Sequence, residues 1–456
     1  MSNDVIVIGA GTSGLVTAAI LAGQGMNVTI LEKNTFLGGR AMEYEYKGHQ
    51  IGLGSHLVED PGDSLTAVCQ EIGVKLVHSE RSDSMPFWDN GRWQHIQDYY
   101  GTEGKAGLKR CINALMEMEY SEIDNLDHLS LREWMSRYTD EEGAFLVWEA
   151  ISVLEQITTK HWEHSASENL YARKLHYSLK RTAGYSFWPM GGWNKVWDEM
   201  VAAYSGLGGQ IRLGAKVDKV VVENRQVRGV LLKPEKGHSR GEFIPADHVV
   251  NSVPVWNLPK MFEPGVLPWD LEARINFLAE NKNRACWIGY WIAAKEPVIG
   301  MTEREMASFM STPRCGLPGF TLNFTGYDPS VSPEGEYLTC VGASFDATES
   351  YGDRAWLDRK YAELWADIEE MMPAAKNALL WKKPHTVTNY GVICKPGTVG
   401  ASRPDALVRG LEGLWLTGDT TRARGIGIDK AARSGITTAE AVLGRRLPAY
   451  ADTVHY

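Results

Sequence analysis

The chain lacks several features that mark other classes of protein. Its 456 residues include only six cysteines, and none of them forms a C-x-x-C pair. Scattered cysteines argue against a dithiol reductase and a cysteine-ligated zinc site, and they fit a reducing compartment. No uninterrupted apolar run reaches the roughly 20 residues that a membrane-spanning helix needs. Internal repeats and low-complexity stretches are also missing from the sequence.

Positive charge is scarce as well. Lysine and arginine total 47 against 57 aspartates and glutamates, which gives a net charge of −10. This balance, without a basic stripe, argues against a nucleic-acid partner. The first strand is expected to begin at residue 4, which leaves no room for a signal peptide, so we expect a cytoplasmic protein. Apolar residues make up 44% of the chain, enough for a sizeable core.

The most informative segment is 4–40, in which a strand, a glycine turn, a helix and a second strand follow one another. Residues 5–8 form a continuous apolar run, typical of a parallel strand that is covered on both faces. The turn then matches G-x-G-x-x-G with Gly9, Ala10, Gly11, Thr12, Ser13 and Gly14. This order of elements predicts a dinucleotide site.

Each glycine of the turn has a physical task. Gly9 permits the tight turn, Gly11 lets the backbone approach a pyrophosphate, and Gly14 lets the helix pack close to the strand. The helix, expected from about Ser13 to Gln24, would point its amino-terminal N–H groups at the phosphates.

Charged residues after the second strand favour one dinucleotide. Glu32 follows Gly14 at a distance where its carboxylate can accept hydrogen bonds from ribose hydroxyls and repel a 2′-phosphate. Lys33 is adjacent and belongs to the same predicted site. Gly39 and Arg40 follow, and the arginine favours FAD. Flanking strand, helix and acid supply the context that a lone glycine motif lacks.

The rest of the chain predicts a discontinuous architecture. We expect strands near 210–222 and 247–252, a helical stretch over 105–182, and a short buried strand at 414–417. The fold class is therefore α/β, with a Rossmann-like FAD-binding domain and an inserted α+β substrate domain. The predicted boundaries are 1–80, 189–260 and 396–456 for the FAD-binding domain, and 81–188 and 261–395 for the substrate domain. Within the helical stretch, two capping boxes predict helix starts, Ser130 with Glu133 and Thr139 with Glu142.

In four segments the chain resembles the flavin-dependent amine oxidase and phytoene desaturase superfamily. These segments are the opening unit through Arg40, Trp188-Pro189-Met190-Gly191-Gly192 with the following helix and strand, Gly413 to Asp419, and Gly427 to Gly435. The resemblance implies that Arg40 neutralises the FAD pyrophosphate and that Val217 contacts the adenine through its backbone. It also implies that Asp419, after Gly418, binds the ribityl chain or pyrophosphate.

The same resemblance implies contacts around the flavin ring. Gly427 and Ile428 would present N–H groups to the O2 edge, and Gly54 with Ser55 would lie beside the isoalloxazine. His56 is then the candidate proton acceptor, and the alternative is a packed, hydrogen-bonded histidine.

Two departures from the amine oxidases favour the desaturase branch. Gly427 stands where those enzymes often carry a cage tyrosine, and residues 283–287 lack the lysine that contacts a flavin-bound water. Tyr390 is either a cavity wall or a core residue. Covalent attachment of the flavin through Cys394 is an alternative, but we expect non-covalent FAD.

The resulting expectation is an FAD-dependent oxidoreductase that moves hydride from a substrate C–H bond to flavin N5. The substrate would be an apolar small molecule, and the electron acceptor would be oxygen, a quinone or a carrier. Alternatives are an amine or amino-acid oxidase, a redox-neutral isomerase or ene-reductase, and a prenyl-protein binding module of the GDP-dissociation-inhibitor type. Arg40 together with Asp419 argues against the binding module, which has no need of both.

The segment 253–269 adds a further alternative. Trp256, Leu258, Met261, Phe262 and Trp269 would form either an apolar entry that dips into a membrane surface or a linker packed on the core. We favour the linker.

Overall fold

The computed structural model describes residues 4–54, 64–83, 85–178, 187–234, 241–348, 353–451 and 453. Within these ranges the chain forms seventeen strands and fourteen helices. The strands are β1 (Asp4–Ile8), β2 (Asn27–Leu31), β3 (Glu43–Tyr46), β4 (His49–Gly52), β5 (Pro86–Asp89), β6 (Arg92–His95), β7 (Gln210–Arg212), β8 (Val217–Glu223), β9 (Gln226–Leu232), β10 (Phe243–Pro245), β11 (His248–Asn251), β12 (Arg284–Ala294), β13 (Met306–Phe309), β14 (Gly319–Asn323), β15 (Tyr337–Asp346), β16 (Leu379–Val392) and β17 (Leu414–Leu416). The helices are α1 (Thr12–Gly23), α2 (Ser64–Glu71), α3 (Ile96–Tyr99), α4 (Gly101–Glu117), α5 (Tyr120–Asp124), α6 (Leu131–Met135), α7 (Glu142–Glu155), α8 (Ala166–Ser178), α9 (Gly192–Gly206), α10 (Trp269–Ala279), α11 (Phe324–Tyr327), α12 (Arg354–Met371), α13 (Ala374–Asn377) and α14 (Gly427–Leu443).

A five-stranded parallel sheet, in the order β17-β11-β1-β2-β7, organises the nucleotide-binding part. Its central strand is buried on both faces: Val5 and Val7 belong to one apolar cluster, and Ile6 and Ile8 to another. This burial explains the continuous apolar run in the sequence. The strands come from the beginning, the middle and the end of the chain. The predicted α/β fold with a discontinuous Rossmann-like unit is therefore confirmed, while the exact domain boundaries stay a prediction.

A mixed seven-stranded sheet, in the order β16-β12-β15-β14-β13-β5-β6, forms the centre of the inserted part. Side chains alternate along β12, because successive residues of a strand point to opposite faces. Ile288 and Ile292 pack with Leu364 of α12 on one face. Trp287 and Trp291 lie on the other face, in the cluster that includes residues of α7 and of the parallel sheet. This second face is therefore directed towards the nucleotide-binding part.

Helices α4 to α8 pack around a separate apolar cluster. The capping box predicted at Ser130 and Glu133 is present at the start of α6. The box predicted at Thr139 and Glu142 is wrong, because α7 begins at Glu142 and follows Glu141 as its N-cap. The Thr139 hydroxyl instead accepts a hydrogen bond from the Glu141 N–H at 3.1 Å, a local turn contact that competes with capping.

Several apolar side chains of the segment 253–269 pack in a core cluster. It contains a 3₁₀ helix over Val255–Met261, and Leu258, Met261 and Phe262 are at most 8% exposed. These three side chains pack on the core, as the favoured interpretation of a packed linker predicts, and they do not form the alternative apolar entry. Trp269 is 80% exposed. Among the described helices, none combines the length and the apolar character needed to cross a membrane.

Candidate flavin site

The glycine turn between β1 and α1 gives two of its glycines different tasks. A methyl group built on Gly14 would lie 2.1 Å from the carbonyl oxygen of Gly9, so only glycine allows the helix to pack there. A methyl group on Gly11 would meet no atom within 4 Å among the described residues. Gly11 therefore faces open space beside the start of α1, which is where the backbone of such a turn approaches a pyrophosphate.

The start of α1 is suited to negative charge. Gly11 is its N-cap, and within the described part of the chain no side chain caps this end and its first turn has no acidic residue. Its first N–H groups, which lie in the buried residues Thr12 and Ser13, are thus available to a phosphate. Gly39 lies close by, since a methyl group on it would be 3.3 Å from Cα of Gly11.

Glu32 directly follows β2, and its carboxylate faces the turn. Its two oxygens accept hydrogen bonds from the N–H groups of Ala10 and Asn34, both at 2.8 Å. A carboxylate retains further lone pairs, so ribose hydroxyls can still donate to it. The carbonyl of Glu32 accepts the N–H of Ala215 at 2.8 Å, which brings the start of β8 and the buried Val217 to this end of the site. The side chain of its neighbour Lys33 is exposed and lies outside the buried part of the site.

Arg40 and Asp419 form an ion pair that joins the first and last parts of the chain. Arg40 Nη2 lies 2.5 Å from Asp419 Oδ1, and Nη1 lies 3.0 Å from Oδ2. Nη1 also donates to the carbonyl of Tyr390. Burial would raise the pKa of Asp419, but the charges of Arg40 and Arg403 hold that pKa below its usual value. Sequence reasoning gave the two residues separate FAD contacts and did not predict their pairing.

Gly418 and the start of α14 complete this end of the site. Gly418 has φ of +118°, and a methyl group on it would lie 3.5 Å from Oγ of Ser13. Gly427, with φ of +47°, opens α14, and Ile428 behind it is buried.

Ile426 is the N-cap residue of α14, and within the described residues this helix start has no capping hydrogen bond from a side chain. Asp429 lies in the first turn of α14, and its carboxylate accepts the N–H of Leu65 at 3.3 Å. The backbone N–H groups of this helix start can still bind a partial negative charge.

A buried charge network holds α14 against the helical part of the chain. Lys430 Nζ lies 3.0 Å from one oxygen of Glu168 on α8, and Arg424 Nη1 lies 3.4 Å from the other. Arg424 also pairs with Asp124 at 2.6 Å and with Asp127 at 2.7 Å. Burial would raise the pKa of Glu168, but Lys430 and Arg424 hold it below the usual range. The network fixes the position of the α14 start relative to α8.

The seven-stranded sheet supplies an aromatic wall next to the ion pair. The Tyr390 and Ser344 hydroxyls lie 2.9 Å apart. Tyr390 follows Asn389, whose φ of +52° lies at an irregularity of the β12–β16 pairing. The Trp287 ring covers a glycine of β15, because a methyl group on Gly342 would lie 2.4 Å from its Cζ2. Burial raises the pKa of the Tyr390 hydroxyl, so it stays protonated.

Four further residues were considered near the flavin in the sequence: Gly54, Ser55, His56 and Cys394. Ser55 and His56 lie outside the described residues, so the role of His56 as proton acceptor stays a prediction. Gly54 is described, and a methyl group on it would lie 3.7 Å from the carbonyl oxygen of Arg40. The Cys394 sulfur is buried and lies 3.8 Å from Arg403 Nη2. Within the described residues, no group of three His, Cys, Asp or Glu side chains could hold a metal ion.

These features fit FAD. Open space beside Gly11, an uncapped α1, a carboxylate at Glu32 and a guanidinium at Arg40 are the donors and acceptors that an adenine dinucleotide requires. A family described as flavin containing amine oxidoreductase matches residues 12–282, more than half of the chain. The chain belongs to this family. Membership in the flavin containing amine oxidoreductases confirms the predicted flavin cofactor and the oxidoreductase class.

Individual relatives of this flavin containing amine oxidoreductase differ in their named substrates. The phytoene desaturase of Fusarium fujikuroi is 26% identical over 387 residues, which cover 74% of this chain and 65% of the relative. The chain thus spans less than two thirds of the length of that curated relative. An oxidoreductase structure from Methanosarcina mazei covers 97% of this chain and 100% of its own, with a TM-score of 0.75 and 20% identity. The structure of a putrescine oxidase bound to putrescine matches 98% of this chain and 100% of its own chain, with a TM-score of 0.68 and 16% identity. At these identities the two structures show the fold alone.

Sequence reasoning missed the charge network around Arg424. Its members lie far apart in the chain, for example 256 residues between Glu168 and Arg424. Neither residue belongs to a local motif, so the sequence offers no signal for the pairing. It also missed Glu43, whose carboxylate accepts the N–H of Trp193 at 2.7 Å and so caps α9.

Proposed function

We propose that this protein is an FAD-dependent dehydrogenase or desaturase that removes one hydrogen of an apolar small molecule as hydride from a C–H bond, while the second hydrogen leaves as a proton to a base or to solvent. The observation that carries the proposal is the meeting of three features at the carboxyl ends of β1 and β17. They are the open side of Gly11, the Arg40–Asp419 pair and the uncapped start of α14. Ligands of open parallel sheets bind at this edge.

Bound FAD would supply the hydride acceptor. The chain's own residues bind, orient and exclude water. Arg40 and the start of α1 offer positive charge to the diphosphate, and the start of α14 favours negative charge at the ring. Trp287 and Phe320, with ring centroids 4.7 Å apart, offer an apolar surface for the substrate.

The electron acceptor is proposed as oxygen, a quinone or a protein carrier. The absence of a cage tyrosine at Gly427 and of a lysine in residues 283–287 supports a carbon skeleton over an amine as substrate. The name of the Fusarium relative agrees with a polyene.

Flavin absorbance tests the proposal. The purified protein should be yellow, and anaerobic addition of phytoene should bleach the flavin band, whereas putrescine should leave it unchanged. Bleaching by putrescine alone would replace the proposal with an amine oxidase. Isomerised polyene without net bleaching would favour the redox-neutral alternative. A colourless preparation that ignores added FAD would favour the binding module.

A membrane contact of segment 253–269 also stays a proposal. Because Leu258, Met261 and Phe262 are buried, its support now comes from Trp269.

A further inference from the structure

Two side chains of the seven-stranded sheet bind backbone carbonyls of the segment that follows β4 and leads to Gly54. Trp291 Nε1 donates to the carbonyl of Gly52 at 3.2 Å. His385 Nε2 lies 2.9 Å from the carbonyl oxygen of Leu53. Both side chains are buried, at 1% and 8% exposure, and their ring centroids are 6.2 Å apart. The pairing of β12 with β16 puts them on one sheet face, the face directed towards the nucleotide-binding part.

The bond between His385 and Leu53 fixes the direction of one peptide group. A carbonyl oxygen only accepts, so Nε2 of His385 carries a proton and donates it to this bond. Burial lowers the pKa of His385, although the Leu53 carbonyl favours the charged ring. The imidazole is therefore neutral at pH 7, with its single N–H directed at Leu53.

The next backbone donor is the N–H of Gly54. The Leu53 N–H donates to the carbonyl of Met42 at 3.2 Å, whereas no described residue accepts the N–H of Gly54. The C=O and N–H groups of a trans peptide point in opposite directions. Because the Leu53 carbonyl points at His385, the Gly54 N–H points away from that side chain. Gly54 is half-buried, so a bound molecule can reach this donor.

Gly54 lies beside residues of the flavin site. A methyl group on it would lie 3.7 Å from the carbonyl oxygen of Arg40, whose guanidinium pairs with Asp419. Strand β16 carries His385 and also contacts Arg40, because the Tyr390 carbonyl accepts a hydrogen bond from Arg40 Nη1. The seven-stranded sheet thus holds the backbone of the flavin site at two places.

We propose that Trp291 and His385 are positioning residues that hold this backbone so that the Gly54 N–H donates a hydrogen bond to the flavin ring. Reduction adds negative charge to the ring, and a donor that is already fixed in place stabilises such charge. The two side chains therefore make the bound flavin easier to reduce. The inference rests on the proposed function, in which the flavin ring accepts hydride next to this sheet.

The midpoint potential of the bound FAD tests the inference, measured by anaerobic titration with dithionite and a reference dye. In His385→Leu the affinity for reduced FAD relative to oxidised FAD should fall at least ten-fold, which lowers a two-electron potential by about 30 mV. Trp291→Phe, which removes the indole N–H, should lower the same ratio several-fold. His385→Gln should stay close to wild type, because its amide can donate to the Leu53 carbonyl.

The matched control is Trp93→Phe. It also removes an indole N–H that donates to a backbone carbonyl, from Trp93 Nε1 to Met371 at 2.7 Å. Trp93 lies on β6, at the opposite edge of the sheet from β16, so its loss should leave the potential unchanged.

Three results would overturn the inference: an unchanged potential in His385→Leu, an equal shift in His385→Gln, or an equal shift in Trp93→Phe. If His385→Leu fails to fold, Trp291→Phe decides, and an unchanged potential in that variant would overturn the inference. The titration needs no substrate. A protein that shows the expected shifts but is not bleached by phytoene would keep the positioning role and lose only the proposed reaction.

Discussion

At the scale of single residues, two glycines of the same turn have different roles: Gly14 is needed for folding and Gly11 for cofactor binding. Gly11 has extended backbone angles, φ −78° and ψ 173°, that alanine adopts readily, and its side-chain direction is open. We expect Gly11→Ala to keep the melting temperature of the apoprotein and to lower FAD affinity at least ten-fold, because the new methyl group occupies the phosphate side of the turn. Thermal unfolding of the apoprotein and fluorescence titration with FAD measure the two effects.

The matched control is Gly14→Ala in the same turn. Its methyl group would collide with the Gly9 carbonyl, so we expect the apoprotein itself to lose about 1–3 kcal/mol or more of stability. If both variants destabilise the apoprotein equally, Gly11 does not face open space and its assignment to the phosphate fails.

Glu43 makes stability depend on pH. Burial raises its pKa to about 7, against donors at Trp193, Asn194 and Gln50 that lower it. The folded protein therefore holds the Glu43 proton more tightly than the unfolded chain does, in which the pKa of Glu43 is near 4.5. Stability is lost as pH rises through the window from 4.5 to 7, by up to about 3 kcal/mol for this group.

Denaturation by urea at pH 5 and pH 8 measures the contribution of Glu43 to the free energy of unfolding. From pH 5 to pH 8 the wild type should lose free energy of unfolding that Glu43→Gln keeps, because an amide does not ionise. Glu45→Gln, an exposed position on the same strand, is the control and should track the wild type. A parallel pH dependence of wild type and Glu43→Gln would show that Glu43 ionises normally.

At the scale of secondary-structure elements, the charge network fixes α14 against α8. Arg424 is 9% exposed and pairs with three carboxylates, so removing its charge takes one partner from Asp127 and leaves the wholly buried Glu168 with one cation fewer beside Lys430. Arg424→Met should destabilise the protein by about 3–5 kcal/mol and lower FAD retention, since the α14 start loses its fixed position. Arg354→Met, which removes one exposed pair with Asp358, should change stability by less than about 0.5 kcal/mol. Denaturation midpoints and flavin content after gel filtration report both effects, and equal results for the two variants would contradict the role of the network.

The elements themselves were largely predictable from the sequence, for local reasons. The apolar run before Gly9, the Ser130 capping box and the strand before Gly418 each depend on neighbouring residues, and the structure has all three. Thr139 was mispredicted because a local turn contact to Glu141 competes with the capping box. The Arg40–Asp419 pair, across 379 residues, depends on a tertiary contact that no local pattern records.

At the scale of the whole molecule, the sheet connects distant parts of one chain into a single site. Strands β1 and β2 and the start of α1 come from the beginning of the chain, β7 and β11 from the middle, and β17 with the following Asp419 and α14 from the end. The order of motifs in the sequence was enough to predict this interleaving, because each carried its own strand or helix signal. The substrate side was not predictable, because the residues of α7, α8 and the seven-stranded sheet meet only after folding.

The surface of the whole molecule carries the last prediction, which concerns membranes. Trp269 is 80% exposed at the start of α10, and Phe277 on the same helix is 37% exposed, whereas Leu271, Ile275 and Leu278 are buried. A tryptophan in this position can insert at the level of lipid headgroups. If Trp269 makes the proposed membrane contact, the protein will sediment with phosphatidylcholine vesicles, and Trp269→Glu will reduce the bound fraction at least five-fold without a change in melting temperature. Trp162→Glu, at another tryptophan that is 52% exposed, is the matched control and should bind like wild type. Sedimentation that is absent in the wild type, or equal in all three proteins, would rule out a membrane contact through Trp269, and an apolar substrate would then have to reach the site from solution or from a protein carrier.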